Sequence, residues 1–184
     1  ALEAFELGEA VRQVHDFFWG DFCDWYIEMV KPRLALEAGD PSRVAALYTL
    51  WRVLEGSMRL LHPFMPFITE EIWQRLPHEG DMLIRATYPV PTTREEAKQV
   101  YAQAERTISA IQEAVRAVRN MRQEVNVPPG KKVGVVLRVM DADYLPVYRE
   151  FSSMIGHLAS CVVDVQFVAE PGRLHRAIST VIPG

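Results

Sequence analysis

Cysteine is scarce in this chain of 184 residues: only Cys23 and Cys161 occur, far apart in sequence. A disulfide scaffold is thereby excluded, and free thiols in a reducing, cytoplasmic setting are expected. Long apolar runs are lacking too. None approaches the roughly 18–20 residues that span a bilayer, and no charged-then-apolar leader is present, so no membrane partner is expected. Positive charge is not in excess either. A net charge of −4 excludes a general polyanion binder, and any nucleic-acid contact must come from a local patch.

Catalytic signatures are also missing. Pro128-Pro129-Gly130-Lys131-Lys132 lacks the first glycine and the Ser/Thr of a phosphate loop. His15, His62, His78, His157 and His175 show no metal-ligand spacing with one another or with the cysteines. Glu70 and Glu71 are adjacent, and adjacent helical residues do not face each other. There is no Gly-x-Ser-x-Gly elbow. By its own residues the chain reads as non-catalytic, with no metal or cofactor.

What the sequence does hold is enough apolar material for a core, 49%, arranged around one stretch. His62-Pro63-Phe64-Met65-Pro66-Phe67-Ile68-Thr69-Glu70-Glu71-Ile72-Trp73 places two prolines between two helix-periodic segments. Each ring fixes φ and removes a donor, so one helix should stop near Leu61 or His62 and another should start near Pro66. Phe64, Met65, Phe67 and Ile68 crowd this elbow, which is expected to be a buried corner. On that reading Phe67→Ala costs about 3–5 kcal/mol.

Before the elbow, Val11, Val14, Phe18, Phe22, Trp25 and Met29 follow three- and four-residue steps, predicting a helix from about Leu7 to Leu36. Phe17, Trp19, Tyr26 and Val30 widen its apolar stripe. One or two of Phe18, Trp19 and Phe22 are expected to be left exposed for stacking. Gly39-Asp40-Pro41-Ser42 breaks the chain, with Asp40 as N-cap and Pro41 in the first turn. Val44, Leu47, Trp51, Leu54, Met58 and Leu61 then form a heptad-like seam for an antiparallel neighbour. After the elbow a third helix should run to about Leu76.

Residues 77–93 read as an extended linker with a short extended piece at Met82-Leu83-Ile84. Thr93 and Glu96 match a capping box for a fourth helix reaching Glu124. Its expected buried stripe is Val100, Ala104, Ile108, Ile111, Val115 and Val118. Near its end Arg116, Arg119, Arg122, Lys131 and Lys132 gather against one acid, Glu124. The run suits the negative end of a helix dipole and equally suits a phosphate backbone. Beyond Asn126-Val127-Pro128-Pro129-Gly130 the pattern shifts to period 2. Val133, Val135, Leu137 and Val139 predict a strand, Asp143 opens a helix over Leu145, Tyr148, Phe151, Ile155 and Leu158, and Val163, Val165 and Phe167 predict a second strand. Pro171-Gly172 should turn the chain into a third over residues 177–182. The fold class is therefore mainly α, a helical bundle over residues 1–126 followed by a small α/β (β-α-β-β) subdomain over residues 127–184.

Resemblance adds to this. Phe17-Phe18-Trp19-Gly20-Asp21-Phe22-Cys23-Asp24-Trp25-Tyr26-Ile27-Glu28 is similar to the first-helix signature of class Ia aminoacyl-tRNA synthetase anticodon-binding domains. Its Phe-Cys-Asp-Trp-Tyr core followed by Lys31-Pro32 looks like the valyl branch. The elbow resembles the signature shared across that domain. Arg119-Asn120-Met121-Arg122 with Asn126 to Lys132 resembles a valyl-type signature. The three occur in order between Phe17 and Lys132. The resemblance implies a tRNA partner, read at a valine anticodon, within an enzyme that attaches valine to tRNA. Motifs for ATP are absent, so ATP would belong to a catalytic domain of the parent protein, and that domain and a coiled-coil arm would be further partners in the same chain. The chain is thus expected to be an excised, non-catalytic piece. An isoleucyl- or leucyl-type domain and a helical interaction module are the alternatives. Candidate tRNA-binding residues are Arg12, Phe18, Trp19 and Phe22 on the first helix, Glu71, Ile72 and Arg75 after the elbow, and Arg116, Arg119, Arg122, Lys131 and Lys132 in the basic run.

Overall fold

The computed structural model describes residues 2–90, 94–168 and 177–182. Its contacts divide the chain into two units, Ala1–Pro91 and Thr92–Gly184. The long fourth helix therefore falls with the α/β elements, whereas the sequence pattern groups it with the preceding helices.

In the first unit, α1 (Leu7–Asp16) runs without interruption through a π-helical stretch (Phe17–Ile27) into α2 (Glu28–Leu34). The sequence predicts ordinary α-helix throughout. The wider i→i+5 winding in the middle brings residues four apart into line. Phe18, Phe22 and Tyr26 accordingly form a column, with ring centroids 5.5 and 6.1 Å apart. The chain then reverses. Asp40 caps α3 (Pro41–Leu61), its Oδ1 accepting from the Ser42 and Arg43 amides at 2.8 and 3.3 Å. Arg33 ties the two helices by donating to the Ser42 hydroxyl and carbonyl, both at 2.8 Å.

Helix α3 stops at Leu61, and α4 (Pro66–Trp73) begins on the second proline of the elbow. The elbow itself is not a buried corner. Phe67 is 90% exposed, and Met65 and Ile68 are exposed as well. The core-facing stripe of α4 is Thr69, Ile72 and Trp73, and on a 3.6-residue turn Phe67, Glu71 and Arg75 fall on the opposite face. What fixes the corner is polar. His62 Nδ1 lies 2.8 Å from the Thr69 hydroxyl, which donates to the Met65 carbonyl at 2.7 Å. The core below comprises Met58, Leu61, Trp73 and Leu83, with Val14, Phe18, Leu54, Ile72 and Ala86 packed against it. Leu83 reaches it from a 3-10 turn (Leu83–Arg85) rather than an extended piece, and the Glu70 carboxylate accepts from its amide at 3.0 Å.

The second unit is built on α5 (Arg94–Glu124), β1 (Val133–Val139), α6 (Leu145–Glu150), α7 (Ser152–Ala159) and β2 (Cys161–Phe167). The strands pair in parallel, Val133 opposite Cys161 through Val139 opposite Phe167. The sequence pattern predicts one helix between them; there are two, broken at Phe151. Residues 177–182 form no strand, and Pro171-Gly172 and the Thr93 cap lie outside the described residues. The buried stripe of α5 is Ala110, Ile111, Ala114, Val115 and Val118, on the half that packs on α7. Val100, Ala104 and Ile108, expected in that stripe, are exposed. A helix of 31 residues is about 46 Å long and outruns strands of about 23 Å. Gly156 lets α7 turn closely into β2: a Cβ there would sit 2.8 Å from the Cys161 carbonyl oxygen.

Candidate nucleic-acid interface

The first unit presents an aromatic surface. Trp19 is 59% exposed and lies parallel to the His15 ring, centroids 6.1 Å apart and planes 3° apart. Phe18, one residue earlier, is half-buried against the core. Phe22 is buried between Phe18 and Tyr26, which gives it a packing role. Arg12 is exposed but bracketed by acids, at 2.7 Å from Glu9 and 2.8 Å from Asp16. Its hydrogen bond holds the Glu9 carboxyl below the usual range, with Gln13 adding to this. Up to Arg33 the chain carries seven acids against three bases. This surface is thus aromatic and not basic. After the elbow, Glu71 on the exposed face of α4 pairs with Arg75 just past the helix end, while Ile72 packs on the core.

The second unit carries the basic run, which the structure separates into distinct roles. Arg116 is exposed and reaches Gln112 at 3.4 Å. Arg119 donates through Nε and Nη2 to the Leu158 carbonyl at 3.2 and 2.9 Å. Arg122 is only 9% exposed and donates to four carbonyls: Lys131 and Ser160 through Nη1 at 2.8 and 3.0 Å, Pro128 and Pro129 through Nη2 at 3.1 and 3.3 Å. Leu158 and Ser160 stand at the C-terminal end of α7, where cations complement the helix dipole. Arg119 and Arg122 therefore bind the second unit together, and Arg122 holds the turn that follows. Lys131 and Lys132 on that turn are exposed.

The turn owes its shape to local rules. Asn126 takes the left-handed conformation, φ 54°. The Val127 amide donates to the Arg122 carbonyl at 2.9 Å and the Asn126 amide to the Gln123 carbonyl at 3.0 Å. This is the Schellman arrangement for closing a helix. Pro128 and Lys131 then close a tight turn, the Lys131 amide donating to the Pro128 carbonyl at 3.0 Å.

Sequence patterns miss a buried polar cluster in the first unit. The Glu55 side chain accepts at Oε1 from Arg59 Nε at 2.5 Å and from Trp73 Nε1 at 3.1 Å. A glutamate between Leu54 and Ser57 on an apolar seam is the available signal. Among the described residues, no three of His, Cys, Asp and Glu gather in a way that could hold a metal ion, and no helix is long and apolar enough to cross a membrane.

The model of a family described as the anticodon-binding domain of tRNA ligase matches residues 1–137. The chain belongs to that family. Within it, the chain is 43% identical over 160 residues to a valine–tRNA ligase of Carboxydothermus hydrogenoformans, which covers 86% of this chain and 17% of that protein. It is 44% identical over 154 residues to the enzyme of the same name from Bacillus anthracis, and 39% identical over 155 residues to that of Latilactobacillus sakei subsp. sakei. The chain thus spans about one sixth of the curated relatives it matches.

Proposed function

We propose that this chain is the tRNA-reading part of a valine–tRNA ligase, contacting the anticodon loop while activation of valine with ATP is the work of a catalytic domain elsewhere in the parent protein. The family match and the names of its relatives supply the class. The observation that carries the chemistry is Trp19, the most exposed ring of the Phe17–Ile27 stretch, where Phe17 is exposed to a lesser degree and Phe18, Phe22, Trp25 and Tyr26 are half-buried or buried. Anticodon bases are unpaired and can be splayed onto such a platform, each stack being worth roughly 1–3 kcal/mol. Arg12, Glu71, Arg75 and Arg116 remain candidate contacts by their exposure. Valine and non-valine tRNA transcripts compared by filter binding test the reading. The valine tRNA should bind more tightly, and Trp19→Ala should reduce that preference without lowering thermal stability. Equal binding of both transcripts by the wild-type chain would refute it.

A further inference from the structure

Arg122 is a buried cation whose four acceptors are all backbone carbonyls, three of them in one turn: Pro128, Pro129 and Lys131. In a planar trans peptide the carbonyl and the following amide point in opposite directions. Drawing the Pro129 and Lys131 carbonyls inward onto the guanidinium therefore turns the Gly130 and Lys132 amides outward. The intervening Lys131 amide is used within the turn, donating to Pro128. The Gly130 and Lys132 amides are thus two residues apart on the outer side of the turn, and outward backbone amides are donors that phosphate oxygens accept from. The same turn carries two exposed ammonium groups, Lys131 and Lys132, and there is open space around Gly130, where even an added Cβ would meet nothing within 4 Å.

We propose that the Pro128–Lys132 turn is a phosphate-binding site for the RNA backbone, with the Gly130 and Lys132 amides and the two lysine ammonium groups as ligands and Arg122 as the positioning residue behind them. This rests on the tRNA reading for the identity of the ligand, but not for the anion chemistry. Arg122 does not touch the phosphate. Its planar fork satisfies several carbonyls at once, which a lysine ammonium at the end of a flexible stem cannot reproduce. A phosphodiester contact at this site carries no base information, so it adds affinity to all tRNAs alike.

The test uses the whole chain. Filter-binding titrations with valine and non-valine tRNA across a range of salt compare wild type with Lys131→Gln/Lys132→Gln and with Arg122→Lys. The double lysine variant should weaken both tRNAs equally and flatten the log–log salt slope by about 0.7 per lost phosphate contact. Arg122→Lys should flatten it too, although its formal charge is kept. In parallel, labelled protein is titrated with inorganic phosphate and the amide resonances are followed. Gly130 and Lys132 should shift first, and in Arg122→Lys they should not respond. Unchanged salt slope in the lysine variant, with tRNA still bound, overturns the site and leaves the tRNA reading standing. If wild type binds no tRNA, the tRNA reading fails, and the phosphate titration decides the site: shifts at Gly130 and Lys132 support it, and silence there overturns it. Should Arg122→Lys fail to fold by circular dichroism, the lysine variant and the wild-type phosphate titration decide between these outcomes.

Discussion

Glu55→Ala should destabilise the first unit by about 2–4 kcal/mol, although the residue touches no surface that could bind a ligand. Glu55 is 1% exposed on α3. Its Oε1 accepts from Trp73, which is fully buried, and from Arg59, which continues through Nη1 to the Thr87 carbonyl at 2.9 Å. Alanine leaves the Trp73 N–H buried with no acceptor, at a cost of about 1–3 kcal/mol. The Arg59 side chain is about a quarter exposed and keeps Thr87, so water screens its loss to about 1 kcal/mol or less. The lost methylenes add about 1 kcal/mol. One term opposes these. Oε2 is buried without a hydrogen-bond partner, and Arg52 Nη1 comes only to 3.8 Å from it, so removing the carboxylate relieves part of its desolvation.

The assay follows from an accident of composition. All four tryptophans, Trp19, Trp25, Trp51 and Trp73, lie in the first unit. Tryptophan fluorescence in urea therefore reports that unit's transition apart from the second. With a slope of about 1–3 kcal/mol/M, the midpoint should fall by roughly 1–2 M while the slope holds. Glu55→Gln retains an acceptor oxygen for Trp73 and should lose less than Glu55→Ala. A Glu55→Ala midpoint equal to wild type would show that the carboxylate's burial cost matches everything it ties together, and the assignment of Glu55 as the polar pivot of this core would fail.

Other outcomes can be checked alongside. Phe67→Ala should leave the urea midpoint unchanged, within about 0.5 kcal/mol, because the ring is exposed; a loss of several kcal/mol would restore the buried corner. Gly156→Ala should cost the second unit about 1–3 kcal/mol in a thermal melt, since its new methyl meets the fixed Cys161 carbonyl. Burial pushes the Cys161 thiol up, only partly offset by Arg122, and burial likewise raises Tyr148 with Glu113 adding to it. The folded chain then holds these protons after the unfolded chain has released them, so stability is full below about pH 8.5 and falls as pH rises through the folded values. Circular dichroism melts should show it, and Cys161→Ser should remove the thiol's share. The chain alone should give no valine-dependent pyrophosphate exchange; exchange above a buffer blank would reveal catalytic groups that none of its motifs announce.

Helix starts and stops were legible because their causes are local. Asp40-Pro41, the prolines of the elbow and the Asn126 cap each act within a turn of the chain, and each element begins or ends where those residues say. The alternation of Val133, Val135, Leu137 and Val139 likewise needs only neighbours two apart. The π winding of Phe17–Ile27 was not legible, since aromatics at steps of three and four satisfy an α stripe equally well. The roles of Arg119 and Arg122 were half legible. Their charge announces a negative partner, but whether that partner is a phosphate or the carbonyl end of α7 depends on a helix some forty residues on, with Arg119 and Leu158 separated by 39 positions.

Apolar periodicity overstated burial for a related physical reason. Val44 and Leu47 continue the seam of Met58 and Leu61, and Val100 and Ile108 continue the stripe of Ile111 and Val115, yet the first pair of each set is exposed and the second buried. Periodicity reports that a helix face is apolar over its length. How much of that face is covered depends on the length of what packs against it, and α7, at eight residues against the 31 of α5, covers only part. Phe67 shows the complementary error. Crowding four apolar residues around a proline elbow says nothing about direction, and direction is set by the 3.6-residue turn that begins at Pro66. Once Trp73 and Thr69 are placed inward, Phe67 has no choice but to face out. The informative residue in the elbow was therefore Thr69, whose hydroxyl joins His62 to Met65. It is a small polar residue at the turn's inner side, where an apolar count gives it no weight.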